Sequence, residues 1–466
     1  MNYPFWDIPL LGSGWVIGII AIFHMMIALF AVGGGVYLPM AERKAMRMAD
    51  KNLGAEWLKQ LASHSKFFLI LTAVFGTVSG VGIWFAIGLT HPEATSTLIH
   101  NFVFGWAMEW VFFIVELTTI AVYYYTWGRI DPKLHLKVGW VYAGASVFTL
   151  IIINGILSFM LTPGDTWIAV AGTGQEAGKF WNAFFNPTYW PSLLLRCCVS
   201  TSLAGVWALI TASRIDGDKH PALKESKVKW SVQWLVPSFV ATPFLMIWYY
   251  MMVPASQQDL LTLGIDTINA GTFSAVTRMA LVIIVTSATI VGVAYYLAYR
   301  NPLEFNLSHA LSILLLALIA TGAGEYSREM LRKPFVIGRW MYSNGVRVNN
   351  VAHLNDTGYL PNSEWIWNGS ASSYSHGEAI FRGECGSCHT LAGYRSLNAL
   401  LAGRDRANIA NFITMLHEHM SDSPYRRFMP PMVGTKQDVD DLADYLNAQV
   451  NPPPPAAPKP LLTAHK

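Results

Sequence analysis

Apolar runs of about twenty residues or more recur along the first 330 positions, each separated from the next by a short polar stretch. A helix needs roughly 20 such residues to cross the hydrocarbon core of a bilayer. The pattern predicts about eight membrane-spanning helices, at 14–40, 66–90, 102–127, 137–162, 191–213, 230–253, 272–298 and 306–331. Met1 to Gly14 carries neither a basic leading region nor a small-residue cleavage site, so the first span is expected to be retained rather than removed as a signal peptide. The expected fold class is all-α: a polytopic membrane helix bundle followed by a small helical domain.

The pattern changes after Pro334. Residues 1–334 form the predicted membrane domain. Residues 335–370 are polar and aromatic, with Trp340, Tyr342, Trp365 and Trp367, and read as a connecting surface segment lying against it. Residues 371–450 read as a compact helical domain. A helix opens at Gly377–Arg382, and the closing helix beginning Lys436-Gln-Asp-Val-Asp-Asp has its acidic residues in the first turn, where the helix dipole favours them. The tail 451–466 is proline-rich and reads as extended polyproline. No internal repeat is evident.

Composition sharpens the membrane reading. The chain is 53% hydrophobic and 13% charged, with 18 Trp and 24 Phe in 466 residues, whereas about a quarter of a soluble domain's residues carry charge. The net charge of +3 reflects the loops rather than an acidic partner, and nothing in the chain calls for nucleic acid. Arg43, Lys44, Arg47, Lys51 and Lys59 crowd the first loop. Alternate loops hold Arg129, Lys133 and Lys137, then Arg214, Lys219, Lys224, Lys227 and Lys229, then Arg300. The loops 91–101 and 254–271 have no Lys or Arg, and 163–190 has only Lys179. Cation-rich loops stay in the cytoplasm, so both the N-terminus and the C-terminal domain are expected on the periplasmic side of a bacterial inner membrane.

Cys385-Gly-Ser-Cys388-His389 carries the sharpest chemistry. Two thiols two residues apart, followed at once by histidine, form the c-type haem attachment pattern. The thiols add to the porphyrin vinyl groups while the imidazole reaches the iron from the same turn. Haem iron takes a second axial ligand, and a soft thioether raises its potential. Met429-Pro-Pro-Met432 offers two, and Met429 is favoured because it precedes the Pro-Pro turn. A zinc or redox CxxC pair is disfavoured, because no second ligand pair follows. Residues 371–450 are therefore expected to be a cytochrome c domain with covalent haem c.

Ionisable side chains inside a bilayer are costly and mark function by default. His24 lies mid-span as either a haem ligand or a histidine bonded to a neighbouring helix. Glu109 and Glu116 are seven apart, so both project from one helix face and suggest a proton path or haem contacts. At the end of the last span, Glu325 and Glu329 are one turn apart, as are Arg328 and Arg332. They read either as a membrane-edge ion cluster or as a carboxylate haem ligand with arginines holding propionates. Arg278-Met279 pairs a propionate partner with an iron ligand at the outer end of the seventh span.

These residues resemble subunit I of the cytochrome bd family of respiratory oxidases over residues 1–340. His24, running into Gly33-Gly-Gly35, resembles the high-spin haem ligand of the first helix, and Phe75-Gly-Thr-Val-Ser-Gly-Val-Gly82 the glycine-rich second helix. Glu109 and Glu116 resemble the two third-helix carboxylates of the proton route, with a spacing one residue shorter. Glu329-Met-Leu-Arg332-Lys-Pro334 matches the family's E-x-x-R-Q/K-P ligand, with Glu325-Tyr-Ser-Arg328 as a competing register. Arg278-Met279 resembles the methionine side of the low-spin haem b. The resemblance implies haem b, possible haem d, a subunit II-like partner and a quinone.

Three departures qualify it. Where the family's low-spin histidine belongs, this chain has Leu195-Arg196-Cys197-Cys198, so that site is lost or rebuilt, with His100 a weak substitute. The long loop that shapes the quinol site is reduced to 254–271. The family's final helix is absent, and the 371–450 domain stands in its place. The reading that follows is a membrane haem protein exchanging electrons between a periplasmic cytochrome c and buried haems, with oxygen reduction as its chemistry. Two rivals remain at this stage: a non-catalytic conduit or anchor in a larger complex, and a quinol:cytochrome c oxidoreductase with a relocated quinone site.

Overall fold

The computed structural model describes residues 6–255, 258, 275–366 and 374–452. In hydrocarbon no water is present to satisfy backbone N–H and C=O groups, so a spanning segment must bond them within itself. Among the described residues, eight helices are long and apolar enough to cross a membrane. They are α1 (Ser13–Met46), α2 (Lys51–Thr90), α4 (Val103–Tyr125), α5 (Pro132–Phe159), α6 (Tyr189–Ser213), α7 (Pro221–Met252), α8 (Thr277–Tyr299) and α9 (Leu307–Arg332). A shorter α3 (Pro92–Asn101) joins α2 to α4. The expected all-α, multi-pass bundle is what the chain forms. The first span extends further than its apolar run, because α1 continues through Glu42, Arg43 and Lys44. Most of the shortened loop 254–271 lies outside the described residues.

Local sequence accounts for several boundaries. Asp50 caps α2 through the backbone N–H groups of Asn52 and Leu53, at 2.9 and 3.1 Å. Asp131 does the same for α5 at Lys133 and Leu134, with Pro132 at the first helical position where no N–H is needed. Helix α2 contains a π-helical turn at Leu71–Gly76, and Ala294–Tyr299 forms another within α8.

The chain divides into two compact units, Val16–Tyr342 and a second made of Met1–Trp15 with Ser343–Lys466. In the first, α4 packs on α5, α6 on α7, and α8 on α9, while α6 also meets α9. Small residues let membrane helices approach closely. The Gly33-Gly34-Gly35 run of α1 uses three successive directions. A Cβ on Gly33 would collide with the Ser200 carbonyl of α6, one on Gly34 with the Phe68 ring of α2, and one on Gly35 with Ser146 Oγ of α5. The unit is closed by a two-stranded antiparallel hairpin, β1 (Phe335–Ile337) with β2 (Met341–Tyr342). Its Val336, Ile337, Trp340 and Met341 are buried in the core, and Trp340 meets Trp167 edge-on at 5.9 Å. Residues 335–342 are thus packed inside the membrane unit rather than on a surface, because this half of the connecting segment is apolar. Residues 343–366 belong to the second unit, and Trp367 lies outside the described residues.

The second unit has its own apolar core, including Leu360, Ile380, Phe381, Ile409, Ile413, Met432, Leu442 and Leu446. Its helices are α10 (Val351–Thr357), α11 (His376–Ile380), α12 (Arg406–Glu418) and α13 (Lys436–Val450). A capping box between Thr435 and Asp438 starts α13. A π-helical turn, Phe381–Cys385, continues α11. Residues from the chain's beginning also belong here: Tyr394 N–H donates to the Leu10 carbonyl at 2.8 Å, and Asp7 pairs with Arg382 at 2.6 Å.

The glycine contacts give a direct test. Gly33→Val should destabilise the detergent-solubilised protein by about 1–3 kcal/mol through overpacking, read as a lower thermal midpoint. Gly18→Val should leave the midpoint unchanged, since nothing lies within 4 Å of its Cβ position.

Candidate functional sites

In the second unit, the Cys385–His389 segment closes on itself. The Cys385 carbonyl accepts from Cys388 N–H at 3.0 Å and from His389 N–H at 2.9 Å. Gly386 is required there, because a Cβ would strike the Arg382 backbone. None of the chain's four cysteines forms a disulfide, so Cys385 and Cys388 are not joined. Burial pushes the Cys385 thiol up, and the neighbouring Glu384 carboxyl adds to the shift. His389 Nδ1 bonds the Arg395 carbonyl at 2.9 Å. That bond makes Nδ1 the donor and places the ring's lone pair on Nε2.

The Met429–Gly434 loop is fastened from several sides. Met429 N–H donates to the Tyr425 carbonyl at 2.8 Å. Asn344 Nδ2 reaches the Pro431 carbonyl at 3.4 Å, and His417 Nδ1 the Met432 carbonyl at 3.2 Å. Glu384 Oε2 accepts from Val433 N–H at 2.7 Å, and Asn355 Oδ1 accepts from Gly434 N–H at 3.1 Å. The two methionines are treated differently. Met432 is 5% exposed and packs into the core cluster that Cys385 borders, whereas Met429 is half-buried outside it. Burial holds the Glu384 carboxyl well above the usual range, and its bond to Val433 N–H ties the cysteine turn to the methionine loop.

In the membrane unit, His24 of α1 and the glycine-rich stretch of α2 come together. His24 Nδ1 lies 2.9 Å from Ser79 Oγ, and the Ser79 hydroxyl itself donates to the Phe75 carbonyl at 2.5 Å. Ser79 oxygen is therefore the acceptor and His24 Nδ1 the donor, which again puts the lone pair on Nε2. A Cβ on Gly80 would sit 3.2 Å from His24 Cε1, so glycine gives the ring its room. On α4, Glu116 is buried and Glu109, two turns away, half-buried. Ser146 of α5 lies beside Glu116.

At the end of α9 the two glutamates are paired separately. Glu325 holds Arg328 at 2.9 Å, and Glu329 holds Arg332 at 2.5 Å with Lys333 at 3.8 Å. Arg328 Nη1 and Arg332 Nε are buried with no hydrogen-bond partner among the described residues. On α8, Arg278 is exposed and Met279 half-buried. His100 is exposed and bonds the Ser96 carbonyl at 2.7 Å.

Two polar clusters escaped the sequence reading. Arg196 of α6 is 7% exposed, and its Nη1 donates to Asn154 Oδ1 at 2.6 Å and Ser192 Oγ at 2.8 Å. Tyr249, Glu325 and Arg328 interact with it electrostatically. An arginine inside Leu193-Leu-Leu-Arg-Cys-Cys was the available signal. The second cluster is Glu42, which accepts from Tyr123 Oη at 2.8 Å and bonds His135 Nδ1 at 2.8 Å, all three buried. Glu42, the acidic residue at the otherwise basic end of α1, was the signal for it.

Fold and site together define a multi-pass membrane protein of the respiratory-oxidase type. Residues 13–249, about half of the chain, match the sequence profile of cytochrome bd terminal oxidase subunit I, and the chain belongs to that family. Its fold is similar to the structure of bd oxidase from Geobacillus thermodenitrificans, at 18% identity and a TM-score of 0.53, over 70% of this chain and 87% of that one. No functionally curated protein matches the chain. The family implies haem cofactors of b and d type, and its members usually work with a subunit II and quinone.

The Glu384 bridge yields a pH prediction. A carboxyl raised in the folded state contributes its full stability below its unfolded value and loses it as pH rises through the folded value. The wild-type protein should therefore lose thermal midpoint relative to Glu384→Gln between about pH 5 and about pH 9. Glu384→Ala, which leaves the Val433 N–H without its acceptor, should cost about 1–3 kcal/mol at either pH.

Proposed function

We propose that this protein is the haem-bearing subunit of a bacterial inner-membrane oxidase that takes electrons from a periplasmic cytochrome c through its own haem c and reduces oxygen at buried haems of b and d type. The observation that carries the reading is the matched donor set of the second unit. Two thiols not joined by a disulfide stand on one closed turn with a histidine whose Nδ1 is anchored to Arg395, and the methionine loop is stapled to that turn by Glu384. These residues fit a covalently held haem, with residues 371–450 as its cytochrome c domain and 451–466 as a tail. His389 Nε2 and the Met429 thioether would hold its iron. Met432 is a core residue that fixes the loop.

In the membrane unit the residues also fit haem. His24 carries its lone pair on Nε2 by the same device, a bond at Nδ1, that orients metal-ligating histidines generally. Glu329 with Arg332, or Glu325 with Arg328, supplies the carboxylate and the propionate partner, and the unfilled N–H groups of both arginines support an anionic guest. When bound, haem supplies one-electron transfer and the oxygen-binding iron. Glu109 and Glu116 hold and pass protons along one face of α4, with the Ser146 hydroxyl beside Glu116. The distribution of cations among the loops supports an N-terminus and a haem c on the outer side. Arg196 occupies the stretch where the family's low-spin histidine belongs, and a guanidinium committed to Asn154 and Ser192 does not ligate iron. The low-spin site is then lost or rebuilt, and electron entry moves from quinol to the haem c.

Three measurements test this. Met429→Ala should remove the methionine-to-iron absorption of the c-haem while Met432→Ala retains it, and the reverse result reassigns the ligand. His24→Ala should lose one non-covalent haem by pyridine haemochrome while the covalent haem stays, whereas unchanged stoichiometry makes His24 structural. In a variant with Cys385 and Cys388 replaced, stopped-flow mixing with a menaquinol analogue should reduce the buried haems slowly. Rapid reduction there restores a quinol oxidase and rejects cytochrome c as the donor.

A further inference from the structure

An open groove of about 350 Å³ on the surface of the membrane unit is lined by Met40, Arg43, Lys44, Arg47 and Trp140. It belongs to none of the sites above. Met40, Arg43 and Lys44 share one face of the last turns of α1, and Arg47 stands in the turn just after the helix ends, its N–H on the Lys44 carbonyl at 3.1 Å. Trp140, on α5, forms the facing wall. The volume is at the lower end of the roughly 300–1,000 Å³ typical of small-ligand sites.

The charged lining of this groove is basic. Among the described residues neither Arg43 nor Arg47 makes an ion pair with a carboxylate, although Glu42 is the neighbour of Arg43 on α1. Glu42 is turned inward and fully engaged by Tyr123 and His135. Lys44 is held in place by aromatic faces, with Nζ 4.6 Å from the Trp230 ring centroid and 5.9 Å from that of Trp57. Two guanidinium groups, with Lys44 beside them, therefore line one groove in which no carboxylate among the described residues pairs with either arginine. The rest of the lining is apolar and accessible: Met40 is 37% and Trp140 40% exposed. One turn further along α5, the space beside Gly144 is open, with nothing within 4 Å of its Cβ position, and Phe148 beyond it is 49% exposed.

We propose that this groove binds the phosphodiester headgroup of an anionic phospholipid, with an acyl chain running over Trp140 and Gly144 toward Phe148. Basic pockets between membrane helices at the cation-rich side recognise such headgroups. Tryptophan suits this depth, because its ring is amphipathic and settles at the membrane–water boundary. The forked guanidinium groups of Arg43 and Arg47 bind phosphate oxygens bidentately, as lysine does not. Lipid is the occupant chosen over a free anion because the site joins a polar cup to an apolar track. The inference is independent of the haem reading and survives or fails without it.

Native mass spectrometry of the full-length protein in neutral detergent tests it, with phosphatidylglycerol as probe and phosphatidylcholine as the neutral reference. The wild-type protein should prefer phosphatidylglycerol. The double variant Arg43→Gln/Arg47→Gln should lose on the order of thirtyfold in that preference, from about 1 kcal/mol per cation. Lys51→Gln/Lys59→Gln, which removes the same charge from exposed positions outside the groove, should leave it unchanged. Equal losses in the two double variants mean diffuse surface attraction and overturn the proposal, as does no loss in either. Displacement of bound phosphatidylglycerol by millimolar inorganic phosphate identifies a free-anion site and overturns the lipid assignment.

Discussion

Exclusion of water from the membrane interior is the constraint on which the rest of this protein depends. It forces the backbone into helices, because only there are all N–H and C=O groups satisfied within the segment. It also forces every ionisable side chain in the bundle to find a partner or a guest. Most do so within the chain. Glu42 is satisfied by a tyrosine and a histidine from two other helices, and Arg196 by an asparagine and a serine. These bonds join α1 to α4 and α5, and α5 to α6, so the polar groups that cost most to bury also fix which helices are neighbours.

Close packing of α1 follows the same logic. Three consecutive glycines let one helix approach three others, and the resulting lack of side chains leaves room beside it for bulky partners such as Phe68. Two and a half turns toward the N-terminus on the same helix, His24 has Gly80 opposite and Ser79 at its Nδ1. The glycine-rich stretch of α2 thus combines clearance for the imidazole with a hydroxyl that orients it. Clearance alone would leave the ring free to rotate about χ2, and a bond alone would need the ring to fit.

The second unit solves a different problem, with little apolar surface to bury. It fastens a loop rather than a helix pair. Backbone N–H and C=O groups of residues 429–434 are taken up by Asn344, Asn355, Glu384 and His417, which come from four separate parts of the unit. A methionine held on such a loop keeps its sulfur at a set position without needing a long helix behind it. The buried Glu384 is the piece that couples this loop to the cysteine turn.

The eight spans, the all-α class, the CxxCH turn and the paired carboxylates of α4 and α9 were legible in the sequence because each is a local pattern. A run of apolar residues, a two-residue spacing or a seven-residue spacing maps directly onto a helix face or a turn. Even the missing histidine near Arg196 was visible as a departure. The tertiary structure alone decided what joins residues far apart in the chain. It paired Glu42 with Tyr123 and His135, gave Arg196 its partners, and drew Val336, Ile337 and Trp340 into the membrane core instead of leaving them on a surface. It also separated Met429 from Met432 by burial and gathered Arg43, Lys44, Arg47 and Trp140 along one groove. Periodicity says which way a side chain points from its own helix. Which other helix it meets depends on the packing of the whole bundle, and no local spacing encodes that.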